Sequence, residues 1–293
     1  MVDPNLLIGL SMLTTGLVLG AIFALTAAGV TIVYGCIWLP NAASGQFFLL
    51  APLVAWSLCT ALGWSPILAV AAVLIAGLPL AYLLERVLIR RFYDVPDRNI
   101  AYFVVTLGIT QILSGVFSIT WGQWSDQYNI PPLADGVVFI GPFPLPANRL
   151  IALIAALVLL GALFVVLRYH RFGRALRAVF QNREAAALRG VDVRRIYLGA
   201  FLLGTSVIFA GGLLYAMAYS FDLSVAWSMG ITAFAIMIVS GPGSVLGALV
   251  VGMLFGFVQA AVSVFASPTA ATLSYLLAML LILLLRPSGL FAR

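Results

Sequence analysis

Residues 6–35 read LLIGLSMLTTGLVLGAIFALTAAGVTIVYG, a stretch without a single charged side chain. It belongs to a longer uncharged interval between Asp3 and Glu85, and a second such interval lies between Asp222 and Arg286. One membrane-spanning helix needs roughly 20 apolar residues in succession. Each interval is several times that length, so the sequence predicts several membrane-spanning helices.

The composition of the whole chain supports this conclusion. Among its 293 residues, 63% are hydrophobic and 8% are charged, whereas about a quarter of the residues of an ordinary soluble domain are charged. The apolar runs are continuous rather than alternating, which favours helices over the strands of a membrane barrel.

We therefore predict an all-α fold, a polytopic transmembrane helical bundle that forms a single domain over residues 1–293. Hydropathy and helix-breaking residues indicate about eight or nine membrane segments. We expect them near residues 5–35, 41–61, 66–84, 99–120, 150–167, 196–219, 226–240, 244–266 and 271–285.

Arginine accounts for all of the basic side chains, because the sequence contains no lysine. Eight arginines lie between Arg168 and Arg195, where only Glu184 and Asp192 are acidic. Membrane-protein loops rich in basic residues stay in the cytoplasm. We therefore expect residues 169–194 to form a cytoplasmic loop, and the basic charge gives no reason to predict nucleic-acid binding.

The segment 121–148 has the opposite charge pattern. It contains Asp126 and Asp135 but no arginine, so we expect an external loop, and its five prolines predict an irregular one. The basic segment from Glu85 to Arg98 and the C-terminal tail are expected inside. Counting the spans places the N-terminus outside, although one broken or re-entrant segment would reverse that assignment.

The sequence displays no catalytic constellation and no metal site. Its one histidine is His170, in the basic loop, and it contains no HExxH, no G-x-S-x-G and no phosphate-binding loop. A membrane enzyme would need a catalytic pair that is not visible. The predicted spans also lack the ionisable groups that proton-driven carriers use. The main alternatives are a passive channel for a small neutral solute and an importer subunit driven by another protein.

Two glycine- and proline-containing breaks interrupt the apolar sequence without adding charge, at residues 35–45 and 240–247. In transporters, paired breaks of this kind mark discontinuous helices that line the pathway. Ordinary short turns between neighbouring helices explain them equally well. Glycines four residues apart predict close helix packing but do not identify the helices that meet. The three pairs are Gly16 and Gly20, Gly243 and Gly247, and Gly252 and Gly256.

The cytoplasmic loop contains the pattern of a short helix. Asn182 can cap its start, Glu184 lies in its first turn, and Gly190 can end it. Residues 185–187 are all alanine, which keeps the helix surface small. We predict a short helix across the membrane face that a motor subunit could hold.

The Glu184-Ala185-Ala186 run followed by Gly190 resembles the coupling loop of ATP-binding-cassette (ABC) importer permeases. With Gly-Arg-Ala-Leu-Arg-Ala at 173–178, the loop is similar to that of the branched-chain amino acid (LivH-type) permease family. Three further stretches resemble the same family in the same order, at residues 24–35, 241–248 and 285–291.

The resemblance implies a multi-subunit importer in the bacterial cytoplasmic (inner) membrane. Its expected partners are two cytoplasmic ABC ATPase subunits, a second related permease or a second copy of this chain, a periplasmic substrate-binding protein and membrane lipid. ATP and Mg would be bound by the ATPase subunits, and no cofactor by this chain. The residues expected to couple to the ATPase are Arg174, Arg177, Asn182, Glu184, Ala185, Ala186, Gly190, Val191 and Asp192.

One departure from the family concerns the substrate. Family members usually carry Asn-Phe-Ala-His-Gly-Glu where this chain has Asn-Ala-Ala-Ser-Gly-Gln at 41–46. A titratable patch has thus become neutral and smaller, which leaves branched-chain amino acids, urea, a short amide and another small organic solute open. The candidate polar lining residues, for which ordinary interhelical hydrogen bonding is an equal alternative, are Tyr34, Asn41, Ser44, Gln46, Thr106, Gln111 and Ser244.

Overall fold

The computed structural model describes residues 4–37, 41–92, 98–122, 127–134, 136–140, 143–286 and 289–291. Within these ranges the chain is almost entirely helical. The helices are α1 (Pro4–Ile37), α2 (Ser44–Ala61), α3 (Pro66–Leu84), α4 (Arg98–Thr120), α5 (Ala147–Tyr169), α6 (Arg171–Gln181), α7 (Arg183–Leu188), α8 (Val193–Ala218), α9 (Val225–Ser240), α10 (Val245–Phe265) and α11 (Pro268–Leu285).

The predicted all-α membrane bundle is confirmed. Each of the nine expected spans corresponds to one long apolar helix, α1 to α5 and α8 to α11. Seven of them are long and apolar enough to cross a membrane, and the other two, at Val225–Ser240 and Thr269–Leu285, are apolar but shorter. The hydropathy of the sequence is sufficient to find these helices because lipid excludes unpaired backbone groups.

Helix α1 lies at the centre of the bundle, where it packs against α10, α8, α9 and α5. Its contact with α10 requires glycine. A Cβ atom placed on Gly256 would lie 2.2 Å from the backbone nitrogen of Gly20, and one on Gly252 would lie 2.5 Å from Ala24 Cα. The glycines at spacing four therefore bring these two backbones together, which identifies the helices that the sequence pattern left open.

Close backbone contacts also join α1 and α2 to α8. A Cβ atom on Gly29 would lie 2.6 Å from the carbonyl oxygen of Gly204. One on Gly212 would lie 1.9 Å from the carbonyl oxygen of Phe48 in α2. The Phe48 ring meets Tyr215 edge to face at 5.8 Å between ring centroids. Helix α8 thus packs at backbone distance against both α1 and α2.

The segment 121–148, which we expect to lie outside, is more regular than predicted. Strands β1 (Val137–Ile140) and β2 (Phe143–Pro146) form an antiparallel hairpin in which Val137 pairs with Pro146. Proline is compatible with a two-stranded hairpin because both strands are edges that need not donate on their outer side. The aspartates Asp126 and Asp135, on which the external assignment rests, lie outside the described residues. We call the end of the bundle that carries the hairpin the hairpin end.

We predict that Gly256→Ala destabilises the protein, because the added methyl group cannot fit against Gly20. Overpacking of this kind typically costs about 1–3 kcal/mol. The matched control is Gly161→Ala in α5, where an added Cβ atom has no neighbour within 4 Å and alanine improves helix propensity. Thermal unfolding in detergent measures both variants. Equal melting temperatures would contradict the assigned α1–α10 contact.

Candidate functional site

Helix α6 is an amphipathic helix that the sequence analysis did not separate from the rest of the basic loop. His170 caps its start by accepting the Phe172 N–H through Nδ1 at 3.2 Å. Gly173, Leu176 and Val179 form its buried face, whereas its arginines are exposed. Apolar residues at intervals of three are the signal that could have identified this helix. We call the end of the bundle where α6 and α7 lie the arginine-rich end.

Two predicted coupling arginines lie on α6 with different surroundings. Arg177 donates to the carbonyl oxygens of Leu167 and Arg168, the latter at 3.3 Å. These carbonyls belong to the last turn of α5, where no intrahelical donor is available. Arg177 therefore fastens α6 to the end of α5, while Arg174 is exposed.

Helix α7 has the capped start and the ending that its sequence predicts. Asn182 Oδ1 accepts the N–H groups of Glu184 and Ala185, each at 3.0 Å. At the other end Gly190 has a φ of +82°, a conformation that favours glycine. The Val191 N–H returns to the carbonyl oxygen of Ala186 at 3.1 Å and closes the helix. The predicted local structure is thereby confirmed, while the role of the segment stays a prediction.

The two faces of α7 differ in exposure. Ala186 is 4% exposed and seats the helix on the bundle, whereas Glu184 and Ala185 face away from it. Leu188 is 90% exposed, although it is a large apolar side chain. The sequence analysis did not single it out. Its signal is that it is the one bulky apolar residue of an otherwise small and polar segment.

Asp192 caps the following helix. One of its carboxylate oxygens accepts the Arg195 N–H at 3.1 Å, and the other lies 2.8 Å from Arg195 Nε. Both side chains are exposed, so the ion pair itself contributes little. Asp192 and the half-buried Val191 thus orient the start of α8 directly after α7.

The two sequence breaks meet at the arginine-rich end. A Cβ atom on Gly35 would lie 2.7 Å from Gly243 Cα. The ring of Phe180, from α6, covers this contact: its Cε2 would lie 3.1 Å from a Gly35 Cβ atom and its Cδ2 3.3 Å from one on Gly243. Gly243 has a φ of +80°. One aromatic side chain therefore links the basic segment to both breaks.

Two predicted lining residues lie beside this contact. Ser244 caps α10 by accepting the Gly247 N–H at 3.1 Å. Tyr34 precedes Gly35 and packs, half-buried, against the core. The Ser244 hydroxyl therefore serves as the cap of α10.

The C-terminal tail packs against the second break and the end of α9. The N–H of Leu290 donates to Val239 at 2.9 Å, and that of Phe291 donates to Ser240 at 3.1 Å. A Cβ atom on Gly289 would lie 2.6 Å from Gly241 Cα. The tail therefore fixes the end of α9 and the second break in place.

Four other lining candidates form a buried polar cluster at the start of α2. Asn41, Ser44, Gln46 and Thr106 are each at most 3% exposed. Thr106 Oγ1 accepts the Ala42 N–H at 3.2 Å, and Ser44 Oγ donates to the Asn41 carbonyl at 2.8 Å. We call these four residues the α2 cluster.

Gln46 joins the α2 cluster to α4 but is only half satisfied. Its Nε2 donates to Ser114 Oγ at 3.0 Å, whereas its Oε1 is buried without a hydrogen-bond partner among the described residues. An unpaired buried amide oxygen costs about 1–3 kcal/mol. Gln111, the remaining candidate, is an exposed residue of α4. The predicted lining residues therefore do not form one site.

Comparison with known proteins agrees with this architecture. A family model described as branched-chain amino acid transport system / permease component matches residues 12–285. The chain is 28% identical over 299 residues to the Escherichia coli K12 high-affinity branched-chain amino acid transport system permease protein LivH, and the match covers 97% of this chain and 96% of that protein.

Two further relatives come from distant organisms. The chain is 27% identical to the Pseudomonas aeruginosa high-affinity branched-chain amino acid transport system permease protein BraD, over 99% of this chain and 98% of that one. It is 27% identical to a probable branched-chain amino acid transport permease protein LivH of Methanocaldococcus jannaschii, over 86% of this chain and 80% of that one.

These matches cover both breaks, the basic segment and nearly all of the apolar helices. They confirm the resemblance seen in the sequence, a transport subunit rather than an enzyme, and an ABC importer permease rather than the alternative of a passive channel. The chain belongs to the family of permease components of branched-chain amino acid transport systems.

Proposed function

We propose that this chain is driven by ATPase subunits that hold α7 and move the bundle through α6. The observation that carries the proposal is the exposure of Leu188 at the end of a helix that is capped on both sides. An apolar side chain that is 90% exposed at an aqueous face fits an interface with another protein, since buried apolar anchors dominate such interfaces.

A movement of α7 would reach the membrane helices through contacts made by α6. Asn182 ends α6 and caps α7, so the two helices share a rigid junction. At that junction the neighbouring Phe180 ring touches Gly35 and Gly243. A displacement of α7 would therefore reach the ends of α1 and α10 directly. Rigid movement of packed helices is an established way to alternate access across a membrane.

The remaining components follow from the family. Two cytoplasmic ATPase subunits would bind ATP and Mg, a second permease would complete the membrane unit, and a periplasmic binding protein would deliver the solute. The arginine-rich end would face the cytoplasm of a bacterial inner membrane, since eight arginines lie there. Glu184, Ala185 and Arg174 are exposed and complete the surface that the ATPase would contact.

The solute is a small organic molecule. The names of the relatives specify branched-chain amino acid transport, and the neutral α2 cluster is compatible with other uncharged or zwitterionic solutes. The cluster would lie along the pathway, because it is a buried group of polar side chains and one of its acceptors, Gln46 Oε1, has no hydrogen-bond partner among the described residues.

Leu188→Asp is expected to reduce co-purification of the ATPase by about tenfold, because it places an unpaired charge in an apolar contact. The matched control is Leu62→Asp. Leu62 directly follows α2 and is 62% exposed. Affinity purification of the assembled complex measures both. Undiminished assembly with Leu188→Asp, or with Gly190→Arg, would contradict the assigned role of α7.

Phe180→Ala is expected to uncouple transport from ATP hydrolysis. The ATPase would still assemble, because α7 is unchanged, but the contact with Gly35 and Gly243 would be lost. We expect solute uptake per ATP hydrolysed to fall about fivefold or more, and Phe180→Leu to restore part of it. Uptake and phosphate release, measured on the same proteoliposomes, give this ratio. An unchanged ratio would exclude Phe180 from the force path.

A further inference from the structure

The start of α2 lies inside the bundle rather than at its edge. Ala42 donates its N–H to Thr106, which is about 12 Å from the first residue of α4 at the usual helical rise. A Cβ atom on Gly45 would lie 2.0 Å from the carbonyl oxygen of Ala226, in the first turn of α9. The first turns of two helices thus cross within the bundle, and both direct the positive ends of their dipoles toward this point.

Three side-chain oxygens of the α2 cluster have hydrogen-bond partners among the described residues. Asn41 Oδ1 accepts the Ala43 N–H at 3.0 Å, and Ser44 Oγ and Thr106 Oγ1 have the partners described above. The Gln46 side chain is 2% exposed, and its Oε1 atom has no hydrogen-bond partner among the described residues. A buried acceptor that has no donor within the protein is expected to receive a hydrogen bond from a bound molecule.

Helix α4 lies beside the Gln46 side chain. Helix α4 is joined to α2 by side-chain hydrogen bonds, from Gln46 to Ser114 and from Trp121 to Ser57 at 2.8 Å. Added Cβ atoms on Gly108 and Gly115 of α4 would meet nothing within 4 Å, so much of this helix is open. A small outward shift of α4 would expose Gln46 without disturbing the packed centre of the bundle.

The residues around Gln46 Oε1 restrict the charge and the hydrogen-bonding groups of a ligand that could bind there. No charged residue occurs in the sequence between Asp3 and Glu85, or between Asp222 and Arg286, so α2 and α9 contribute no counter-ion. A net positive charge would therefore be desolvated there without a counter-ion, whereas the two helix N-termini could stabilise a carboxylate. An amide oxygen can only accept a hydrogen bond, so the ligand must donate one.

We propose that Gln46 Oε1 is a recognition point for an N–H donor of a net-neutral solute, with the α2 cluster around it as the binding site. The solute belongs to one of two classes that share this donor, a zwitterionic α-amino acid or a neutral amide such as urea. This inference rests on the proposed transport function and names the substrate chemistry of its pathway.

The test uses the complete transporter in proteoliposomes, with L-leucine and urea as probes. Gln46→Met keeps the size of the side chain and removes the acceptor, and it should lower the uptake rate at subsaturating solute by about fivefold to tenfold. Uptake of leucine would identify an ammonium donor, and uptake of urea would identify an amide donor.

A control separates recognition from packing. Gln259→Met removes another buried unpaired amide oxygen, on α10. It should keep uptake within about twofold of the unsubstituted protein.

Wild-type uptake with Gln46→Met overturns the inference, as does an equal loss with Gln259→Met. Failure of the unsubstituted protein to take up either probe overturns the substrate class. None of these results touches the proposed ATPase coupling, because co-purification of the ATPase with the Leu188 variant tests that separately.

Discussion

The absence of charged side chains from the long apolar intervals is the constraint on which the structure and its function depend. The intervals between Asp3 and Glu85 and between Asp222 and Arg286 contain no carboxylate, histidine or arginine that could bind and release a driving proton. In the proposed mechanism, the energy for transport comes from partner ATPase subunits instead. The basic segment is suited to this because α7 is exposed, capped at both ends and joined through α6 to the ends of the buried helices.

In this mechanism, close contacts at glycine would transmit the movement of α7 to the packed bundle. Gly20 and Gly256 let α1 and α10 touch at backbone distance, and Gly35 and Gly243 repeat this at the arginine-rich end. Contacts this close leave no room for a compressible layer, so neighbouring helices must move as a unit. The α2 cluster lies elsewhere, beside the less tightly held α4, where a polar solute could be admitted without opening the α1–α10 contact.

The sequence predicts the helices well and their contacts poorly, for physical reasons. Hydropathy finds the spans because lipid imposes one rule on every segment. The cap at Asn182 and the ending at Gly190 are likewise local, so the short helix was predictable. The contact between Gly35 and Gly243 is not, because it joins breaks that are far apart in the chain. The half-satisfied Gln46 was a candidate by residue type, but its unpaired oxygen is visible only when Ser114 is placed opposite.

The most direct measurement compares solute flux through the chain alone with flux through the complex. The account predicts that proteoliposomes containing only this chain show no flux above that of empty vesicles, and that ATPase subunits, the second permease and the binding protein restore uptake that depends on ATP. Equal flux from the isolated chain without ATP would contradict it.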